Sequence, residues 1–353
     1  MALNGASVAV LIPAYNEGGQ IGAVLQSMPS YVDEVLVVND GSTDNTAAVV
    51  EARAAIDSRV NLINFERNKG VGAATSAACI WARNRRHEVA VMVDGDGQMA
   101  WDDLEHLVRP IADGRADLTK GNRLLSPSDW GRIPKIRLFG NAALSLLTKI
   151  ASGYWAVADS QSGYMACSRY ALDNIEWEEL YHSYGRPNDI LVRANAANCR
   201  VADIPIRPVY GVGERSSMKV GRVIFSIAFL LFRRFWWRMF HKYILRDFHP
   251  LVFFYLLSIL SFTLSVPLLV YVLTVFAQTA RLPPIATLSL AFLGVTCLNS
   301  LFFAFWMDMQ VNAPLAVRPN EVFAIRRQIS IENESTPELS KEQELRTMSP
   351  PDE

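Results

Sequence analysis

The chain has 353 residues, of which 50% are hydrophobic, and its formal net charge is −1. This length allows one large domain and a smaller addition, and the mean hydropathy of +0.14 is high for a soluble protein. The four cysteines show neither paired spacing nor the pattern of a metal knuckle, which excludes a disulfide framework and a zinc knuckle. The near-neutral charge gives no indication of a nucleic-acid partner, and we predict none.

Short apolar runs alternate with helical patterns in the amino-terminal part of the chain. The predicted strands are 8–13, 34–40, 60–65 and 89–94. The predicted helices that follow them are 20–28, 43–55, 72–83 and 102–108. Regular alternation of this kind predicts βαβ units and a mostly parallel sheet with helices on both faces. In such sheets, ligands bind beyond the carboxyl ends of the strands.

Two acids and an amide end the fourth predicted strand, in the stretch VMVDGDGQM. Asp94, Asp96 and Gln98 alternate, so we expect their side chains to leave an extended strand end on one side. Oxygen donors suit Mg²⁺ or Mn²⁺, which take further ligands from substrate phosphates. An EF-hand loop is excluded because Met99 occupies its sixth position and a strand precedes it. A plain turn without metal remains open.

The regular alternation ends after residue 119. We expect a loop over 121–134, a helix over 136–151, a helical stretch through 189–197 and a strand near 201–204. The segment that follows, 220–248, mixes apolar residues with Arg and Lys, which is typical of a helix lying on a membrane surface. Anionic lipid headgroups are its predicted partners, through Arg233, Arg234 and Arg238.

Two long apolar segments, 251–277 and 284–307, contain no charged residue. Each is long enough to cross a hydrocarbon core of ~30 Å. Basic residues flank the outer ends of this pair, and the short connection carries only Arg281. The positive-inside rule therefore predicts an integral protein of the cytoplasmic or ER-type membrane, with both termini and the amino-terminal α/β domain in the cytoplasm. The predicted divisions are an α/β domain over 1–215, interfacial helices over 216–248, two spans over 249–310 and a disordered tail over 311–353.

Five motifs follow one another in the first half of the chain. They are LIPAYNE, VVNDGSTDN, RNKGVGAA, VDGDGQ and DSQSGY, and the basic segment GERSSMK follows them. Together they resemble the family 2 glycosyltransferases and, more narrowly, the polyprenyl-phosphate or dolichyl-phosphate sugar synthases. The resemblance implies an α/β catalytic domain of the Rossmann-like GT-A fold, interfacial helices and two transmembrane helices. It also implies a nucleotide-sugar donor, polyprenyl phosphate, a divalent Mg²⁺ or Mn²⁺ ion and assembly into a homo-oligomer.

The resemblance assigns roles to residues at matching motif positions. The donor nucleotide would contact Pro13, Tyr15, Glu17, Asp40, Lys69, Asp94 and Gly95. The metal would be held by Asp94, Asp96 and Gln98. The acceptor phosphate would meet Arg123, Arg137, Asn141, Arg215 and Lys219. The implied catalytic residues are Asp96, Asp159, Asp189, Arg123, Arg137 and Arg215. Among them, we expect Asp189 to orient the substrates. We expect Asp159 either to stabilise the fold or to structure the acceptor loop. Gly213 stands where relatives often carry another arginine.

A phosphate acceptor changes what the site must supply. A monophosphate is already largely anionic at neutral pH, so the reaction needs cations that position it more than it needs a base. The resemblance therefore implies inverting transfer of one hexose to polyprenyl phosphate, with UDP-glucose or UDP-N-acetylglucosamine favoured over GDP-mannose. Two alternatives stay open. One is a family 2 transferase acting on a saccharide or lipid-linked glycan hydroxyl, and the other is a membrane-anchored scaffold that binds nucleotide without turnover.

Overall fold

One sheet carries the strands of the catalytic domain. The computed structural model describes residues 5–123, 135–207, 220–246, 248–318, 320–324 and 329, with backbone alone for 135–141 and 220–223. Within these residues the strands are β1 (Val8–Ala14), β2 (Glu34–Asn39), β3 (Val60–Asn64), β4 (Val89–Met92), β5 (Leu118–Asn122), β6 (Met165–Ser168) and β7 (Val201–Pro205). Their order across the sheet is β3-β2-β1-β4-β6-β5-β7. The four amino-terminal strands are confirmed, although β4 ends two residues earlier than predicted.

All neighbouring strands run parallel except at β6, which is antiparallel to both β4 and β5. The sequence analysis did not predict β6, because MACS is a run of only four residues without alternation. The predicted mostly parallel sheet is confirmed. Because β1 lies between β2 and β4, successive connections leave it in opposite directions and open a crevice at the carboxyl ends of these strands.

Helices cover both faces of the sheet, as predicted. The helices of the catalytic domain are α1 (Ile21–Gln26), α2 (Thr46–Ala54), α3 (Val71–Asn84), α4 (Leu104–Ala112), α5 (Lys135–Ser152), α6 (Arg169–Asn174) and α7 (Arg186–Ala196). Val8, Val10 and Ile12 of β1 face the core under α1, α2 and α4. Ala9 and Leu11 face the other core, under α3, α6 and α7. This alternation buries both faces of the strand, which is the expected arrangement in a parallel sheet.

A long helix, α8 (Val220–Phe240), joins the catalytic domain to the apolar segments. Its Ile227 and Leu231 pack against Val192 of α7 and Leu144 of α5. The opposite side exposes an aromatic stripe that recurs every three or four residues, formed by Phe225, Phe229, Phe232 and Trp236. An exposed apolar stripe of this kind fits the predicted contact with a membrane surface.

Two helices, α9 (Leu251–Thr279) and α10 (Pro284–Asn312), are long and apolar enough to cross a membrane. Each has 29 residues, which at 1.5 Å per residue exceeds a hydrocarbon core of ~30 Å. Only 17% and 11% of their most apolar windows are buried in the protein. A core helix would be mostly buried, so this exposure indicates lipid contact. The protein is membrane-associated.

The chain after α10 returns to the catalytic sheet. A 3₁₀ turn, Ala313–Leu315, ends beside β7, where Ala316 pairs with Val201 and the Val317 N–H donates to the Val201 carbonyl at 2.9 Å. This part of the predicted disordered tail is therefore ordered and covers an edge strand. It also places the end of α10 on the same side of the helix pair as the catalytic domain.

A cluster of buried polar side chains, here called the polar joint, connects α7, α8 and α10. Its members are Asn195, Arg238, Lys242, Tyr243, Asp308 and Asn312. Arg238 donates from both terminal nitrogens to the two carboxylate oxygens of Asp308, each at 2.9 Å. The Tyr243 hydroxyl donates to Asp308 at 2.6 Å. Lys242 donates to Asn195 and Asn312 at 2.9 Å. The sequence analysis did not find this cluster.

The structure corrects the predicted lipid contacts of two arginines. Arg238 is fully buried against Asp308, and Arg234 lies with its Nε 2.6 Å from the carboxylate of Asp189. Neither side chain therefore faces a lipid headgroup, because the fold supplies a carboxylate for each. Arg233 is exposed, and its contact with anionic lipid stays a prediction.

Candidate active site

The acidic stretch after β4 forms a turn and not an extended strand end. The strand ends at Met92, Gly97 has the left-handed φ of +74°, and the Asp96 carboxylate accepts the Gln98 N–H at 3.0 Å. A side chain that caps its own backbone in this way stabilises a turn. The predicted alternation of three side chains along a strand is therefore wrong. Asp94 and Asp96 nevertheless both lie half-buried at the crevice beside β1.

Arg186 is the main site residue that the sequence analysis missed. It begins α7, is only 4% exposed, and donates to the Asp94 carboxylate at 3.0 Å and to the Thr75 hydroxyl at 2.8 Å. Arg186 lies three residues before Asp189, to which the resemblance gave a role. Since Asp94 and Arg186 are 92 residues apart, no local pattern indicated their contact.

The predicted acceptor loop DSQSGY touches two parts of the site. At its start, Asp159 receives hydrogen bonds from Arg123 at 2.8 Å and 3.2 Å. Near its end, a Cβ on Gly163 would lie 2.6 Å from both Arg186 and the Asp94 carboxylate. The loop therefore links the acidic turn to the predicted phosphate-binding arginine. Two residues that the resemblance assigned to the acceptor side, Arg123 and Asp159, are thus paired with each other.

Burial and neighbouring charges shift the pKa values of three residues near this loop. Burial would raise the pKa of Asp159, but the guanidinium of Arg123 and the ammonium of Lys120 hold it below its ordinary value. Lys120 is fully buried and donates to the Ser162 carbonyl, and burial lowers its pKa to about 8. Burial also raises the pKa of the neighbouring Asp203 to about 6. Asp159, Asp203 and Lys120 therefore form a buried charged cluster next to Arg123. Lys120 also anchors the loop through its hydrogen bond to Ser162.

Glu17 is the third carboxylate near the acidic turn. Its backbone N–H donates to Thr46, and its Cγ would lie 3.5 Å from a Cβ on Gly95. Burial, followed by repulsion from Asp96, Asp44 and Asp94, raises the pKa of Glu17 to about 7. Mutual repulsion of this kind is relieved by a proton or a cation.

Replacing Glu17 should change how stability depends on pH. An acid whose native pKa lies above its unfolded value loses stability as pH rises, here between about 4.5 and about 7. We expect Glu17→Gln to become more stable relative to the parent as pH rises from 5 to 8. Thermal unfolding midpoints of both proteins, without nucleotide or metal, measure this difference. A difference that is constant over this range would contradict the assignment.

The predicted nucleotide residues lie at the carboxyl ends of β1 and β2. Pro13 is buried within β1, while Tyr15 is 45% exposed just beyond it. Asp40 is buried, and its carboxylate accepts the N–H groups of Lys69 and Gly70 at 2.7 Å and 2.9 Å. Asp40 therefore shapes the loop after β3. The Lys69 ammonium lies 4.5 Å from the ring centre of Phe65. Nucleotide contact stays a prediction for these residues.

Asp189 is placed in a different environment. It is fully buried, accepts the Tyr181 N–H at 2.8 Å, and lies within 3.4 Å of Arg193 as well as beside Arg234. This arrangement ties α7 to α8.

The side chains of Arg137, Asn141, Arg215 and Lys219 lie outside the described residues, and their roles stay predictions.

Adding a methyl group at Gly163 should disturb the site without changing any charge. Gly163→Ala would bring a Cβ to 2.6 Å from Arg186 and Asp94, closer than real Cβ contacts. We expect the sugar transfer that the motifs predict, and the predicted binding of nucleotide with Mn²⁺, to fall about tenfold or more, since displaced site residues commonly cost this much. Gly294→Ala is the matched control, because nothing lies within 4 Å of its Cβ position. Equal binding by both variants would contradict the tight placement of the loop.

Residues 9–176, which contain β1 to β6 and the acidic turn, match the model of glycosyl transferase family 2. This part of the chain therefore matches that family. The resemblance drawn from the motifs is therefore confirmed, and the protein is a glycosyltransferase.

Two curated relatives of this glycosyltransferase act on lipid phosphates, by their names. UDP-N-acetylglucosamine–dolichyl-phosphate N-acetylglucosaminyltransferase of Methanococcus voltae is 29% identical over 63% of this chain and 94% of its own length. Polyprenol monophosphomannose synthase of Mycolicibacterium smegmatis is 29% identical over 62% of this chain and 84% of its own length. These two relatives use different sugars.

The fold is also that of a solved glycosyltransferase. Glucosyl-3-phosphoglycerate synthase of Mycobacterium tuberculosis, crystallised with Mg²⁺ and UDP, aligns with a TM-score of 0.50 at 21% identity. The alignment covers 65% of this chain and 79% of that one, and a second structure of the enzyme contains Mn²⁺, UDP and phosphoglyceric acid. The predicted GT-A fold of the catalytic domain is confirmed.

Proposed function

We propose that this glycosyltransferase transfers one hexose from a nucleotide-diphosphate sugar to polyprenyl or dolichyl phosphate at the cytoplasmic membrane surface. One observation carries the proposal. A single loop touches the acidic turn through Gly163 and Arg123 through Asp159, in a domain joined to two exposed apolar helices. A donor site at the acidic turn and an acceptor site at Arg123 would then lie next to each other, close to the membrane. The names of the two curated relatives support a lipid-phosphate acceptor.

The donor set of the crevice fits a divalent cation that is completed by substrate. Glu17, Asp94 and Asp96 repel one another, which a cation would relieve. Among the described residues, no group of three His, Cys, Asp or Glu side chains is close enough to hold a metal alone. Mg²⁺ and Mn²⁺ are often bound by one or two carboxylates and by substrate phosphates, so Asp94 and Asp96, with Gln98, are the candidate protein ligands. Such an ion stabilises the negative charge that develops on a leaving diphosphate.

The protein's own residues would position the acceptor. Arg123 is partly exposed, and its contact with Asp159 fixes the orientation of its guanidinium. The exposed part of the guanidinium could therefore bind an anion. A phosphate nucleophile needs no general base. The rival hydroxyl acceptor needs one. The resemblance places Asp189 at the position of the base in relatives with such acceptors, but here Asp189 is buried against two arginines. This favours the phosphate acceptor.

The membrane helices suit an acceptor whose tail remains in the bilayer. The catalytic domain lies beside the start of α9 and the end of α10, so its crevice stays near the headgroups that present the phosphate. We also propose the predicted division into a catalytic domain over 1–215, an interfacial segment over 216–248 and spans over 249–310. Basic residues at the outer ends of the spans favour the cytoplasmic side for the domain.

The test supplies each donor separately. Membranes containing the protein are incubated with polyprenyl phosphate, Mn²⁺ and radiolabelled UDP-glucose, UDP-N-acetylglucosamine or GDP-mannose. We expect a chloroform-soluble, acid-labile product with one of the UDP sugars. A water-soluble or acid-stable glycan product would support the hydroxyl acceptor. Nucleotide binding without any product from the three donors would favour the scaffold.

A further inference from the structure

Arg186 is placed where its charge acts directly on the acidic turn. Its two terminal nitrogens are held separately, one by the Asp94 carboxylate at 3.0 Å and one by the Thr75 hydroxyl at 2.8 Å. Thr75 is fully buried and donates its own proton to the Val71 carbonyl at 2.8 Å, which leaves its oxygen to accept from Arg186. The guanidinium therefore has a fixed position.

The surroundings leave this pair little freedom. Gly163 lies against both side chains, where a Cβ would come within 2.6 Å. Gly185, the residue before Arg186, packs against Leu230 of α8, where a Cβ would come within 2.5 Å. Arg186 is thus held between the loop and α8. Because a guanidinium is always charged, Arg186 places a permanent positive charge beside Asp94.

Its charge affects a bare metal ion and a metal–nucleotide complex in opposite ways. The carboxylates of Asp94 and Asp96 together carry two negative charges. The guanidinium of Arg186 reduces the net charge of this group to one negative charge. A nearby cation repels a divalent ion that approaches alone, and repulsion in a partly buried site is only weakly screened. A nucleoside diphosphate brings three negative charges, so its complex with one Mn²⁺ is anionic and is attracted by the same guanidinium.

We infer that Arg186 couples metal binding to the nucleotide: it disfavours a bare divalent cation at Asp94 and Asp96 and favours the metal–diphosphate complex. The inference rests on the proposed nucleotide-sugar donor. Arg186 is a positioning residue in this scheme, because it acts through Asp94 and through its charge. Asp94 and Asp96 would then hold the cation more tightly when the nucleoside diphosphate is bound.

The experiment measures binding and not turnover. Purified full-length protein in detergent is titrated with Mn²⁺, with and without UDP, and free Mn²⁺ is followed by electron paramagnetic resonance. For the parent we expect weak Mn²⁺ binding that UDP strengthens. For Arg186→Gln we expect Mn²⁺ alone to bind about tenfold more tightly, and the strengthening by UDP to fall about tenfold or more. Arg169→Gln, in α6 and paired with Asp173, is the matched control with parental values.

A second variant separates charge from shape. Arg186→Lys keeps the positive charge but cannot hold Asp94 and Thr75 together, so we expect weak parental binding of Mn²⁺ alone and reduced strengthening by UDP. If folded Arg186→Gln binds Mn²⁺ no more tightly than the parent, or keeps the full effect of UDP, the inference is overturned. If Arg186→Gln does not fold, tight binding of Mn²⁺ alone by Arg186→Lys overturns it equally. Absence of binding of both UDP and GDP to the parent would instead contradict the proposed nucleotide-sugar donor.

Discussion

Asp96→Asn should reduce sugar transfer by about 10²-fold to 10³-fold, as removal of one group that stabilises developing charge commonly does. The change keeps the size of the side chain and an oxygen that can accept the Gln98 N–H, so the turn itself should persist. It removes one of the two negative charges available to a divalent ion at this turn. Initial rates in the membrane assay, with the donor that the parent uses, measure the loss.

Two further measurements make the Asp96 result specific. Asp173→Asn, an acid paired with Arg169 on α6 and away from the crevice, should keep the parental rate. Binding of UDP to Asp96→Asn should lose its dependence on Mn²⁺. A variant that transferred sugar at the parental rate would show that the acidic turn is not the metal site.

Asp308→Ala should destabilise the protein by about 3–5 kcal/mol, the usual effect of removing one partner from a buried ion pair. Arg238 would keep its charge but lose both hydrogen bonds to the carboxylate, and Tyr243 would lose its acceptor. Since the polar joint connects α8 to α10, we expect the catalytic domain and the apolar helices to lose their fixed contact. The thermal midpoint in detergent, followed by tryptophan fluorescence, should fall by on the order of 10 °C.

A double variant tests whether the cost comes from the unpaired charge. Arg238→Met combined with Asp308→Leu removes both charges and keeps similar volumes, so it should recover part of the lost stability. Arg281→Ala, at an exposed position between α9 and α10, is the control and should melt as the parent does. A midpoint for Asp308→Ala equal to that of Arg281→Ala would show that the polar joint does not stabilise the fold.

The predictions from the sequence were most accurate where the signal is local. The alternation of apolar runs and helical patterns predicted β1 to β4, because each run of buried residues is contiguous in sequence. The antiparallel strand β6 was missed because four residues carry no period. The acidic turn was found as a feature but given the wrong geometry, because the capping of Gln98 by Asp96 is a hydrogen bond that no hydrophobic pattern indicates.

By itself, the sequence determined the class of sheet, the family and the two apolar helices, since these depend on periodicity, ordered motifs and the absence of charge over long segments. Only the tertiary structure decided what the buried arginines do. Arg186 meets Asp94, and Arg238 meets Asp308, across 92 and 70 residues. An arginine in a sequence can face lipid, solvent, substrate or a carboxylate. Which of these it contacts depends on the acid that folding brings beside it, because a charge that leaves water must be paired there.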